Sequence, residues 1–169
     1  TSLHTANGQN TTALTILDTQ VNLHVTDFNV GYNPAGSGMA TGYLILNSGA
    51  VIDATDVPEL SIGRVTNVGW QSQANGSLIL GTDSTIDLGT VAAPATLNIG
   101  WNESTGNSGY YSYANTSSAV GLLNAAQGTL AAQLSELKVG LTTGRGTAAG
   151  PADGDRRGGV DGPCGSTDI

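Results

Sequence analysis

The chain has 169 residues and a formal net charge of −8, and only 11% of its residues are charged, against roughly 25% in an ordinary soluble domain. The length suits one domain with a real core, and Ser, Thr, Asn, Gln and Gly replace charge on its surface. The few Lys and Arg residues form no basic stripe, and no apolar run approaches the ~18 residues of a membrane-spanning helix. The composition therefore argues against nucleic-acid binding, a membrane span and an ordinary cytoplasmic protein. It predicts a secreted, extracellular or cell-surface protein.

The N-terminal part of the chain divides into a polar arm and an alternating apolar segment. Residues 1–11 are polar and predict an arm, whereas residues 12–30 alternate as strands do. The phase of the alternation switches at Thr26-Asp27, which predicts a bulge or a bend. Such a segment suits strand donation to a neighbouring subunit. The predicted subunit-contact residues are Leu14, Ile16, Val21, Leu23 and Val25.

A short unit recurs in the centre of the chain: an aliphatic residue, any residue, a second aliphatic residue and then glycine. Its copies occupy residues 60–63, 78–81, 86–89 and 97–100. Each copy predicts a short strand that ends in a turn, and Asn75-Gly76 predicts a hairpin. Strands that recur about every 8–12 residues are typical of an antiparallel sandwich. A β-solenoid is the rival interpretation. The irregular spacing favours a mainly β fold, an antiparallel β-sandwich of the jelly-roll or Ig-like kind.

The C-terminal half carries a helical period and then a low-complexity tail. Leucines and small apolar residues recur at steps of three and four across 118–138, which predicts one α-helix. We place the sandwich domain at 12–141, including this helix. Residues 142–169 are rich in Gly, Ala, Pro, Asp and Arg and predict a tail. Cys164, the only cysteine, lies in that tail and predicts a free thiol, with an intermolecular disulfide as the alternative.

Catalytic arrangements are scarce in the sequence. His4 and His24 are the only histidines, and neither has the spacing of a triad or of a metal-protease motif. We therefore predict that the chain is not an enzyme and has no catalytic or cofactor-binding residues. Ca²⁺ is the one cofactor that remains possible, because loop carboxylates are its preferred ligands. The predicted calcium ligands are Asp53, Asp56 and Glu59, and a second acidic loop contains Asp153, Asp155 and Asp161.

The sequence predicts glycans in two roles, as modifications of the chain and as its ligands. Asn-x-Ser/Thr sequons predict glycosylation at Asn10, Asn75, Asn102 and Asn115. Aromatic rings can also stack on sugars, although a core or rim position is the ordinary use of such residues. The predicted ligand-stacking residues are Trp101, Tyr110, Tyr111 and Tyr113.

These observations favour a non-catalytic structural subunit of an extracellular assembly, such as a filament, a pilus-like fibre or a matrix. The N-terminal segment would join the subunits by strand donation, and the partner would be another copy of the chain. Two alternatives remain open: a carbohydrate-binding or adhesin module that uses Trp and Tyr, and a virion coat or decoration protein.

Overall fold

The structure is a computed structural model that describes residues 2–8, 10–34, 38–66, 72–103, 117–143 and 147–149. These residues form strands and contain no helix. The strands are β1 (Ser2–Asn7), β2 (Thr11–Leu17), β3 (Gln20–Asn22), β4 (Asp27–Asn33), β5 (Gly38–Leu46), β6 (Val51–Ala54), β7 (Glu59–Val65), β8 (Ser72–Leu80), β9 (Thr85–Leu88), β10 (Ala95–Asn102), β11 (Ser118–Asn124), β12 (Thr129–Ala132), β13 (Leu134–Thr142) and β14 (Thr147–Ala149).

The strands form three sheets, and every strand pairing is parallel. Sheet A has the order β1-β4-β7-β10-β13, sheet B has β14-β11-β8-β5-β2, and sheet C has β12-β9-β6-β3. Successive strands along the chain belong to sheets A, B and C in turn. Each pass through the three sheets is therefore one coil, and each coil lies on the previous one. The fold is a parallel β-solenoid.

The predicted antiparallel sandwich is wrong, and the reason lies in the repeated unit. Residues 60–63 and 97–100 lie in sheet A and pair in register, whereas 78–81 lie in sheet B and 86–89 in sheet C. The four copies lie on successive faces, in sheets A, B, C and then A again, so their irregular spacing reflects connections of unequal length within one coil period. The positions that stack from coil to coil in sheet A are Leu3, Phe28, Leu60, Leu97 and Leu137.

The predicted helix at 118–138 is also wrong, because the segment forms β11, β12 and the start of β13. Its leucines fall on different faces of the coil, and their helix-like spacing arises from strands that are interrupted by turns. Strands β8, β9 and β10 offer parallel edges to this segment, and their hydrogen bonds outweigh its local preference. Position 121 in this strand requires glycine, because a Cβ there would overlap the Ile62 carbonyl oxygen.

Glycine also sets the distance between sheets A and B. The predicted hairpin at Asn75-Gly76 is instead the middle of β8. A Cβ at Gly76 would overlap the Val30 carbonyl oxygen and the Gly63 nitrogen of sheet A, so the two backbones touch there. Away from this contact the interior is filled by apolar side chains. The largest fully buried ones are Phe28, Leu44, Leu46, Ile52, Leu60, Ile62, Leu78, Leu80, Ile86 and Leu88.

Candidate functional site

The outer face of sheet A carries a stack of aromatic and cationic side chains. Tyr32, Arg64 and Trp101 occupy equivalent positions on β4, β7 and β10, in register with one another. The Arg64 guanidinium carbon lies 5.6 Å from the Tyr32 ring centroid and 4.5 Å from the Trp101 ring. Lys138 covers the Trp101 ring with its Nζ 4.5 Å from the centroid. His4 stacks on Tyr32 at a centroid distance of 5.3 Å.

Arg64 is the centre of this stack and also of an ion-pair network. Its Nη1 donates to the Glu59 carboxylate at 2.5 Å, and its Nη2 donates to Glu103 Oε1 at 3.0 Å. The side chain of Arg64 is only 17% exposed. The Glu59 Oε1 also accepts from the Ser61 hydroxyl at 2.8 Å and from the Asn98 amide at 3.2 Å. These contacts join the third and fourth coils across the outside of sheet A.

A second polar group surrounds His4 at the first coil. The Asn29 amide donates to Asp27 Oδ1 at 2.5 Å, and it lies 3.2 Å from His4 Nδ1. Burial lowers the pKa of His4, the nearby Asp27 carboxylate opposes this shift, and Arg64 lowers the pKa further. The network therefore favours a neutral imidazole. The contacts of His4 with Asn29 and Tyr32 join the first and second coils on the outside of sheet A.

The predicted ligand-stacking residue Trp101 lies within this stack. Arg64 and Lys138 cover its ring. A pyranose ring needs a free aromatic face, so this arrangement gives Trp101 a structural contact and does not favour sugar stacking. The other predicted stacking residues, Tyr110, Tyr111 and Tyr113, lie outside the described residues.

The predicted calcium ligands do not converge. The Asp53 carboxylate accepts from the Thr55 hydroxyl at 2.7 Å and from its backbone N–H at 3.1 Å, and these bonds lower the pKa of Asp53. Asp56 pairs with His24 Nδ1 at 3.1 Å. Glu59 pairs with Arg64 in sheet A. Among the described residues, no group of three His, Cys, Asp or Glu side chains could hold a metal ion. The acidic loop at 153–161 lies outside the described part of the chain.

The predicted glycosylation sites differ in accessibility. Asn10 is exposed, and Asn75 is half-buried on the outer face of sheet B. Asn102 is fully buried, and its amide donates to the Ser117 carbonyl oxygen at 3.1 Å, so the folded chain does not present it to a glycan. Asn115 lies outside the described residues.

The predicted subunit-contact residues separate into two groups. Leu14 and Ile16 project from sheet B and are 61% and 49% exposed. Leu23 and Val25 instead pack against the core, and Val21 is half-buried on β3. The segment that was predicted to be donated is the first coil of its own chain, because β2 pairs with β5 and β3 pairs with β6.

Two surfaces of the fold were not predicted from the sequence. The first is the pair of coil ends, where β1, β2 and β3 form one edge of the three sheets and β12, β13 and β14 form the other. The second is the outer face of sheet B. Aligning residues 28–33 with 60–65 and 97–102 would have revealed the coil period and the Tyr32–Arg64–Trp101 column.

No helix of the described residues is long and apolar enough to cross a membrane. No protein-family model, curated protein or solved structure is significantly similar to this chain.

Proposed function

We propose that the chain is a non-catalytic structural subunit of an extracellular fibre, in which copies join end to end. The first coil of one copy adds to the last coil of the next copy, so that the solenoid continues across the junction. The observation that carries this proposal is that, in the described residues, the outermost strands of sheets A and B come from the first coil (β1 and β2) and the fifth coil (β13 and β14), whereas sheet C ends at β12 of the fourth coil. The strand addition expected of the N-terminal segment thus becomes addition of a whole coil.

The backbone supports this junction because open strand edges present unpaired N–H and C=O groups. A parallel edge pairs readily with another parallel edge, and native proteins usually cover or charge such edges. Here, three edges at one end face the same axial direction, and three at the other end face the opposite direction. A neighbouring copy in the same orientation would pair its β1 with β13 and its β2 with β14, and so satisfy the edges of sheets A and B.

The side chains at the two ends support the same junction. Leu3 on β1 and Leu137 on β13 are the two ends of the apolar column in sheet A, and they are 36% and 45% exposed. Val139 continues the exposed apolar surface of the last coil at 48%. Adding the next coil would bury these side chains as Phe28 and Leu60 are buried in the middle of the column.

The junction is heterologous, since a first coil meets a last coil. Such an interface generates open filaments unless rotation closes a ring. The proposed extracellular location agrees with the low charge and the polar surface of the chain.

The test is to introduce a charge at one end of the full-length chain. Leu3→Lys modifies the first coil, Leu137→Lys modifies the last coil, and Val91→Lys is the control because Val91 is 86% exposed on a loop. We expect filaments of wild type and the control by negative-stain microscopy, and none of either end variant. Circular dichroism would check that each variant is folded.

A mixture of the two end variants tests the direction of growth. Each variant retains one unmodified end, and those two ends are complementary. Sedimentation should show that the mixture doubles the mass of either variant and does not grow further. Filaments formed by a single end variant, or a mixture with no mass increase, would contradict end-to-end addition.

A further inference from the structure

The outer face of sheet B carries most of the exposed apolar side chains of the described residues. Large hydrophobic side chains project from β2, β5 and β11 and are 40% to 61% exposed. Apart from these, the exposed large hydrophobic residues lie at the coil ends, except Val91 on a loop. The members on sheet B are Leu14, Ile16, Met39, Tyr43, Val120 and Leu122.

This face is regular as well as apolar. Leu14, Tyr43, Ser77 and Leu122 occupy one column, and the pairings of β2 with β5, β5 with β8 and β8 with β11 show no register shift. Ile16, Ile45, Ile79 and Asn124 occupy the next outward column. Straight columns of this kind produce a flat surface that a second flat surface can match.

Charge distinguishes this face from the other two. Strands β2, β5, β8 and β11 contain no Asp, Glu, Lys, Arg or His. The outer face of sheet A carries Glu59 and Arg64, and sheet C places Asp53 and Asp87 in register beside each other. In a chain of net charge −8, sheet B is the face on which two copies meet without repulsion between carboxylates.

The area of the face is sufficient for a specific contact. Four strands at ~4.8 Å spacing, each of seven to nine residues at ~3.3 Å, give a footprint of roughly 500 Å². Two such faces bury about 1,000 Å² together, which is the lower bound for a specific interface.

We propose that two copies of the chain pair face to face through the outer faces of their B sheets. The contact is isologous, with the Leu14 and Leu122 column of one copy against the same face of its partner. It is lateral, whereas the end-to-end junction is axial, and it depends on different residues. Either association can therefore occur without the other.

The experiment separates the two contacts by blocking the axial one. In the full-length Leu137→Lys background, sedimentation equilibrium at micromolar concentration should show a dimer. Adding Leu122→Lys introduces a like-charge pair at the face and should weaken this dimer at least about 30-fold. Adding Val91→Lys instead should leave the dimer unchanged, because Val91 lies on the loop after β9.

A charge-swap mixture identifies the partner as a second copy. In the Leu137→Lys background, Leu122→Lys and Leu122→Glu chains should each be monomeric and should form a mixed dimer when combined at low salt. A monomer in the Leu137→Lys background, or a dimer that survives Leu122→Lys, would overturn the proposal. Neither result would bear on axial growth, which the microscopy of the end variants measures separately.

Discussion

The outer faces of sheets A and B differ in their side-chain contacts, although both sheets are built from parallel strands of the same coils. On sheet A, Arg64 joins Glu59, Glu103, Tyr32 and Trp101, so long side chains tie neighbouring coils together. On sheet B, no charged residue occurs in the strands, and the projecting side chains contact solvent. The comparison indicates that the side chains on one face of a solenoid can stabilise the chain itself, as on sheet A. They can also remain available for contact with other chains, as we propose for sheet B.

The largest expected effect on stability is at Gly76, where the backbones of sheets A and B touch. Gly76→Ala would place a methyl group on the Val30 carbonyl oxygen, and backbone on both sides cannot retreat. We expect the free energy of unfolding to fall by more than about 3 kcal/mol, as overpacking at its severe end does.

Gly49→Ala is the matched control, since a Cβ at Gly49 would have no atom within 4 Å. Its loss of stability comes only from the backbone φ of 74°, which an alanine rarely adopts. That cost should be about 1–2 kcal/mol. Urea denaturation compares the two variants. Equal losses would show that sheets A and B do not touch at Gly76.

The second-largest expected effect on stability compares the outer face of sheet A with that of sheet B. Arg64→Ala would leave Glu59 and Glu103 without their cation and uncover the Trp101 ring. We expect a loss of about 2–3 kcal/mol, below the range for fully buried pairs because these groups remain partly exposed.

Leu122→Ala is the counterpart on sheet B, where the side chain is 42% exposed. Its effect on the unfolding of the monomer should stay within about 0.5 kcal/mol. Both variants are measured by urea denaturation in the Leu137→Lys background, at a dilution where sedimentation shows a monomer, so that neither the axial nor the lateral contact contributes. A Leu122→Ala loss as large as that of Arg64→Ala would contradict the contrast between the faces.

The smallest effect concerns pH and the first coil of sheet A. His4 has a pKa below its ordinary value because of burial, so the unfolded chain binds its proton more readily. The stability contribution is complete above the unfolded pKa of about 6.5 and is lost as the pH falls below it, by at most about 1.4 kcal/mol per pH unit.

His4→Gln should therefore flatten the dependence of unfolding free energy on pH between about pH 7.5 and about pH 5. His24→Gln is the control for loss of an imidazole, because His24 has a side chain that is 75% exposed. An unchanged slope in His4→Gln would show that the imidazole is not buried against Tyr32 and Asp27.

The positions of the strands could be predicted from the sequence more easily than the pairing between them. The alternation at Leu78-Ile79-Leu80 identified a strand because one residue pattern determines which side faces the core. The partner of each strand lies one coil away, and connections of unequal length hide that distance. The segment 118–138 shows the same limit, since its leucines fit a helix locally and only the edges of β8, β9 and β10 make it strand.

The stack on sheet A could be anticipated only after the coil period was known. The sequence predicts a stacking platform at Trp101 because aromatic rings can stack on sugars. Its neighbours in space are Arg64 and Lys138, which come from the coils on either side. The absence of charge from the sheet B strands was visible in the sequence, but its meaning required knowing that these strands share one face.

Disulfide trapping across the junction tests end-to-end addition most directly. Continuing the sheet A column places Leu3 of one copy beside Leu137 of the next at ~4.8 Å, within the Cα separation that a disulfide spans. Within one chain these positions lie at opposite edges of sheet A, ~19 Å apart by four strand spacings, so they cannot pair internally.

The measurement uses Leu3→Cys with Leu137→Cys in a Cys164→Ser background, oxidised and separated on a denaturing gel. The control is Leu3→Cys with Val139→Cys, two residues out of register. We expect a ladder of covalent multimers from the first pair and a much weaker one from the control. Monomers alone from the in-register pair, or equal ladders from both, would contradict the account.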